Sequence, residues 1–375
     1  MVRSQSLMLL VVVSGGCAFN PERQAGDGGG VGSGGTFYIP PIGGATGTGG
    51  GGGAGHSNPD ANCGARDKPA NRLPPDILLV YDASGSMNED IMNVACAAPG
   101  CGAASKWSVM APAVNQVVSA TETDVNWGLK FFASDNNCGV NATANVPVGA
   151  MSAAMVANAI QLRTDATGNV TMSSRTPTRA GVTQGAAYLN GLPSDNPKYI
   201  VLVTDGLPNC PASGNTGNDD TAGAVAAVTA SAASGIPVFV VGVATAGVVS
   251  NGVDADVTLN MMAVAGGRPR AGTPQYYSVS NQADLAAALT MLVGMANTCV
   301  FQIGPPPTAD GTTSTSYIDV FGDGTKIPRD TSRMNGWDYV DGSNQNSIQI
   351  YGATCDQVTA GTITNVIVTF RCVMG

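Results

Sequence analysis

The stretch Asp76-Ile77-Leu78-Leu79-Val80-Tyr81-Asp82-Ala83-Ser84-Gly85-Ser86 decides the fold of this chain. Its apolar run, residues 77–81, shows no polar alternation, which is the pattern of a strand covered on both faces. At the carboxyl end of that run the chain presents one carboxylate and two hydroxyls on a tight turn: Asp82, Ser84 and Ser86. These are hard oxygen donors, suited to Mg²⁺ or Mn²⁺ far better than to zinc.

Working outward, strand-like runs recur at residues 125–133, 199–204, 236–243 and 276–279. Helix-like segments fall at 106–120, 153–162, 181–189, 221–233, 259–265 and 283–295. Strands and helices that alternate in this way predict an α/β fold, a doubly wound, mostly parallel Rossmann-like sheet over residues 73–298. Ligands of such sheets bind beyond the carboxyl ends of the strands. Asp82 and Asp205 each stand just past one.

Several motifs, in order, resemble the von Willebrand factor type A domain. Asp82-Ala-Ser84-Gly-Ser86 matches the family's DxSxS motif, Arg175-Thr176-Pro-Thr178 its threonine loop, and Val201-Leu-Val-Thr-Asp205-Gly206 its second acidic loop. Gly235-Ile-Pro-Val-Phe-Val-Val-Gly-Val243 looks like the strand that follows. Met262-Ala-Val-Ala-Gly-Gly267 and the segment from Tyr276 to Leu285 look like the closing segments. The resemblance implies a metal-ion-dependent adhesion site holding Mg²⁺, or Mn²⁺ or Ca²⁺. Ser84, Ser86 and Thr176 would coordinate through hydroxyls, with Thr176 preferred to Thr178, and Asp82 and Asp205 would sit nearby through water. Neutral hydroxyls leave such an ion under-neutralised, so a carboxylate from an Asp or Glu of a protein partner can complete its shell. Two long stretches stand out against the family pattern, around 96–101 and 136–145, together with a long loop after Asp205 in which Asp220 and Thr221 read as a helix N-cap.

Composition agrees with a binding protein displayed outside the cell. Of 375 residues only 11% are charged, and the net charge is −9 with no basic run, which argues against nucleic acid. Met1-Val-Arg3, the apolar run 7–13 and the small residues Ser14-Gly-Gly16 read as a secretory signal peptide. Cys17 follows as a lipidation site resembling that of a bacterial lipoprotein, so residues 1–17 form the leader and a lipid anchor is the chain's one expected link to a membrane. Residues 18–72 read as a flexible tether, since 16 of the 30 positions from 26 to 55 are glycine. The expected location is the cell envelope or surface, and secretion if Cys17 carries no lipid.

Nine cysteines in an oxidising compartment predict disulfides once Cys17 is taken by lipid. Spacing does not fix the pairing. Cys96 with Cys101 would close a small loop, and Cys138 with Cys210 would meet across the top of the domain. Cys63 with Cys299 would staple its ends, leaving Cys355 with Cys372 in the tail. Zinc is the poorer reading of these thiols, since no CxxC pair occurs and the one histidine, His56, lies in the tether.

After Cys299, Gly304-Pro-Pro-Pro307 breaks the chain, and short alternating runs at 316–321, 347–351 and 364–370 predict a small disulfide-containing all-β module over 299–375. Its Asp319, Asp323, Asp330, Asp338 and Asp341 lack the spacing of a calcium loop and read as turn residues. No catalytic apparatus is signalled: there is no SxxK, GxSxG, HExxH or GxxxxGK[ST] run. The chain therefore reads as a non-enzymatic surface adhesion protein. The alternative is a structural or assembly component of an envelope complex, acting through the β tail or the insertions.

Overall fold

A computed structural model of the chain describes residues 66–135, 137–171, 175–213, 217–296, 299–304 and 313–372. The leader, Cys17, Cys63 and most of the tether lie outside the described residues. Two short strands come first, β1 (Arg66–Pro69) and β2 (Asn71–Arg72), then β3 (Asp76–Asp82). Helix α1 (Lys106–Thr121) leads to β4 (Asn126–Phe132) and β5 (Val146–Gly149). Helices α2 (Ala153–Leu162) and α3 (Thr178–Asn190) precede β6 (Lys198–Thr204). Helix α4 (Thr221–Ala233) leads to β7 (Val238–Val243), a small hairpin of β8 (Val249–Ser250) and β9 (Val253–Asp254), and α5 (Ala255–Ala265). The domain closes with β10 (Tyr277–Val279) and α6 (Gln282–Ala296).

Six of these strands form one sheet in the order β10-β7-β6-β3-β4-β5, parallel except for the β4–β5 pair. β3 is central and every residue of it is buried. Alternation along it splits the core. Ile77, Leu79 and Tyr81 pack with Trp107 and Met110 of α1 and Leu285 and Leu289 of α6. Leu78 and Val80 face Val182 of α3, Val228 of α4 and Leu259 of α5. Helix α3 can lie close because it carries Gly185 there: a Cβ would come 3.1 Å from Val80 and 3.3 Å from Leu78.

The tail contributes β11 (Cys299–Gln302), β12 (Thr313–Gly322), β13 (Thr325–Ile327), β14 (Gly336–Tyr339), β15 (Ser347–Tyr351), α7 (Gly352–Thr359) and β16 (Val366–Cys372). They make two antiparallel sheets, β1-β16-β12-β13 and β14-β15-β11-β2, sharing a core that includes Phe301, Val320, Trp337, Ile348 and Phe370. Two features differ from the sequence reading. Residues 66–72, expected as the end of the tether, supply an edge strand to each sheet. The module also holds a helix, α7. The type of sheet domain read for 73–298 is thus inserted between β2 and β11. Edge strands such as Arg66–Pro69 are short and polar and need no apolar alternation, so nothing in their composition announces them.

The cysteines of the tail correct a second expectation. Cys299 pairs with Cys355, not with Cys63, at a Cα–Cα distance of 5.7 Å, and Cys355 is therefore not the partner of Cys372. Cys299 opens β11 inside the tail, buried beside α7, which carries Cys355. Nothing is described for Cys63 or for the side chain of Cys372. Cys96–Cys101 and Cys138–Cys210 are both bonded. The Cys299–Cys355 bond closes a loop with a sequence separation of 56. Replacing both cysteines with alanine lowers the stability of the tail module by about 2–5 kcal/mol. Amide hydrogen exchange in β11 and β15 measures that loss.

Candidate metal centre

The site stands where the topology predicts, past the carboxyl ends of β3 and β6. Asp82, the last residue of β3, is wholly buried and its carboxylate organises the turn that follows. The Ser84 N–H donates to Oδ1 at 2.8 Å, and the Thr204 hydroxyl of β6 donates to Oδ2 at 2.6 Å. Those contacts fix the direction in which Ser84 and Ser86 project. Their hydroxyl oxygens are 3.0 Å apart, and Ser86 donates to Asp205 Oδ1 at 2.8 Å.

Thr176 enters from the loop before α3. Its N–H donates to Asn209 Oδ1 at 2.7 Å, and the Asn209 N–H donates back to the Thr176 carbonyl at 3.2 Å. The Ser86 and Thr176 hydroxyls flank Gly206, at 3.5 and 3.6 Å from the position a Cβ would take. Ser86, Thr176 and Asp205 line a cavity of about 340 Å³, which Glu89, Lys106 and Asn209 also line. Asp82 and Ser84 are buried behind these groups. All five residues picked from the sequence therefore meet at one end of the sheet. Thr178 begins α3 and does not line the cavity.

The donor set suits a hard divalent ion. Adjacent ligands on an octahedral ion with bonds of about 2.1 Å lie about 3.0 Å apart, and the two serine hydroxyls have that separation. Among the described residues there is no cluster of three or more His, Cys, Asp or Glu able to hold a metal, so a centre here depends on hydroxyls. Ser84, Ser86 and Thr176 are the groups that would hold the ion. Asp82 and Asp205 would orient them and offset its charge.

A family model of the von Willebrand factor type A domain matches residues 76–290. The chain belongs to the von Willebrand factor type A domain family. No curated protein matches it. Among solved structures, the open form of the pilus adhesin SpaC from Lactobacillus rhamnosus GG is 16% identical with a TM-score of 0.45, covering 81% of this chain and 39% of that one. The PilB minor pilin of Streptococcus sanguinis is 16% identical with a TM-score of 0.44, covering 60% and 62%. Manganese-loaded TRAP of Plasmodium vivax is 17% identical with a TM-score of 0.40, covering 61% and 76%. The chain thus spans less than two thirds of the adhesin and pilin it matches, and likeness at this level assigns no function.

The type A domain brings further residues to the site. Lys106, the first residue of α1, points its ammonium at Asp205 Oδ2, 2.8 Å away, and at Glu89 Oε2, 3.2 Å away. Thr204 and Asn209 hold Asp82 and Thr176 in place. Sequence reasoning missed Lys106 as part of the site, because a lysine that opens a helix ordinarily reaches solvent and this one is buried only by its contact with Asp205, 99 residues away. Of the long stretches, the loop after Asp205 lines the cavity, through Leu207, Pro208, Asn209, Gly217 and Asp219. Asn93, near the Cys96–Cys101 loop, lines the cavity, and Cys138 ties the 136–145 stretch to Cys210 in the loop after Asp205.

Asp220 departs from the N-cap role. It occupies the cap position of α4 but makes no side-chain cap, because its carboxylate pairs with Arg179 at 2.9 Å. Asp219 instead accepts from the Thr221 N–H at 3.1 Å. In the tail, Asp330 accepts from the Ser332, Met334 and Asn335 N–H groups, Asp319 pairs with Lys326, and Asp338 and Asp341 pair with Arg333. These carboxylates serve turns and ion pairs.

Burial, and next the charge of Asp205, push the Asp82 carboxyl from 3.8 up to about 7, against the hydrogen bonds from Thr204 and Ser84. A carboxyl raised on folding adds stability that is complete below its unfolded pKa and lost as pH rises through the folded one. In chelator, the wild type therefore gains stability relative to Asp82→Asn as pH falls from 7.5 to 5. Urea midpoints of the two proteins at both pH values check the sign.

Proposed function

We propose that this chain is an exported, lipid-anchored binding protein whose type A domain captures a partner protein through a divalent ion, Mg²⁺ foremost, and an acidic side chain of the partner. The observation that carries this reading is the convergence of Ser84, Ser86, Thr176 and Asp205 past the ends of β3 and β6, three of them on one open cavity. An ion held by neutral hydroxyls keeps much of its charge for an incoming carboxylate. We read the role as recognition and not catalysis: the carboxylate that accepts from the Ser86 hydroxyl is itself bound by the Lys106 ammonium, which lowers its strength as a base.

The rim suits a protein partner. Met92 and Val94, on either side of cavity-lining Asn93, are 74% and 55% exposed, and Val249 beside Ser250 is 61% exposed. Apolar side chains grouped around a polar centre are typical of a contact surface. Export and anchoring through Cys17 follow from the leader and tether of the sequence.

The test is direct ion binding and ion-dependent capture by the full chain. Wild type binds one Mn²⁺ that Mg²⁺ displaces, read by electron paramagnetic resonance of the free ion. Ser84→Ala weakens it by about tenfold or more, since losing an outer-shell partner alone costs on that order and Ser84 would be an inner ligand. Capture of partner from the surface of the source cells is lost in chelator and restored by Mg²⁺. Capture indifferent to chelator and to Ser84→Ala sinks the reading and leaves the tail or the insertions as the binding surface.

A further inference from the structure

Lys106 is out of place by the ordinary rules of helices and cores. Its side chain is 1% exposed, although burying an ammonium is expensive unless it is well paired. It is the first residue of α1, where the helix macrodipole disfavours positive charge. Its neighbours account for both. The ammonium reaches Asp205 Oδ2 at 2.8 Å and Glu89 Oε2 at 3.2 Å, and donates to the Ser86 carbonyl at 3.3 Å. Two of these three partners, Ser86 and Asp205, belong to the candidate ion site. The ammonium is also held there. The Lys106 N–H donates to the Glu89 carbonyl at 2.8 Å, and the adjoining Trp107 stacks on Tyr81 with centroids 5.0 Å apart.

We propose that Lys106 is a resident counter-charge of the ion site: it neutralises Asp205 when no divalent ion is present and weakens the site's hold on one. This rests on the ion reading above. The two oxygens of Asp205 are divided between roles. Oδ1 takes the Ser86 hydroxyl and Oδ2 takes Lys106. The ammonium thus keeps the ion-free loops assembled, since Asp205 is buried and Lys106 supplies the positive charge against its Oδ2 while bridging to Glu89 and the Ser86 carbonyl. Its charge opposes that of an arriving ion across a short, poorly screened distance.

The test uses the full chain with Mn²⁺ alone as probe, and Lys106→Gln, which keeps a hydrogen-bond donor and loses the charge. Mn²⁺ affinity of the variant is expected to tighten by about tenfold or more. Its melting temperature is expected to fall below wild type in chelator and to close that gap in saturating Mn²⁺. Lys106→Arg, which keeps the charge, is expected to hold wild-type affinity. If wild type binds Mn²⁺ and Lys106→Gln binds it no more tightly, the counter-charge role is overturned while the ion site stands. If neither protein binds Mn²⁺, both fall. Should Lys106→Gln fail to fold without ion, recovery of a cooperative melt in Mn²⁺ supports the role. Failure to recover overturns it and leaves Lys106 as a purely structural lysine.

Discussion

A buried carboxylate at the end of the central strand is the constraint around which the domain is arranged. Asp82 lies wholly out of water, so its oxygens must be met by the protein. The Ser84 N–H and the Thr204 hydroxyl meet them. The first bond shapes the turn that carries Ser84 and Ser86, and the second ties β3 to β6. The site is thus a by-product of satisfying one charge. Ser84 and Ser86 take their spacing from the turn, and Asp205 takes its place because β6 is locked in register beside β3, with Tyr81 opposite Val203.

Much of this was legible in the chain. The apolar strands β3, β6 and β7 are covered on both faces, so composition alone marks them, and Asp82 and Asp205 stand at their ends. Thr176 was reachable through the motif order, although it lies in the 163–177 connection between α2 and α3, where no apolar periodicity places it. Lys106 was legible as a helix residue and not as part of the site, because its role depends on Asp205, which is distant in sequence and adjacent only after β3 and β6 pair. Asp220 misled for the same reason. A local cap and a tertiary ion pair compete for one carboxylate, and Arg179 wins it.

The tail shows the opposite limit. Its strands alternate clearly, but the residues that complete its sheets come from before the type A domain, in β1 and β2, where polar edge strands leave no periodic trace. With that connection unseen, Cys299 looked like the end of one domain. It is in fact the start of the interior of another, where Cys355 of α7 is its neighbour. Pairing of cysteines follows topology, and topology here is closed by strands at both ends of the inserted domain.

That insertion sets a path for mechanical load. The two crossings into the type A domain leave from neighbouring strands, since β2 pairs with β11 through Arg72 and Phe301. Only three residues, Leu73 to Pro75, separate β2 from β3, and Asp82 with its serines lies at the far end of β3. Tension applied at the cavity and resisted at β1 therefore runs lengthwise along β3, the strand hydrogen-bonded on both sides by β4 and β6. Extracting it means shearing two ladders at once, instead of peeling one edge open. A grip built on this turn would be backed by a strand paired in parallel along both edges.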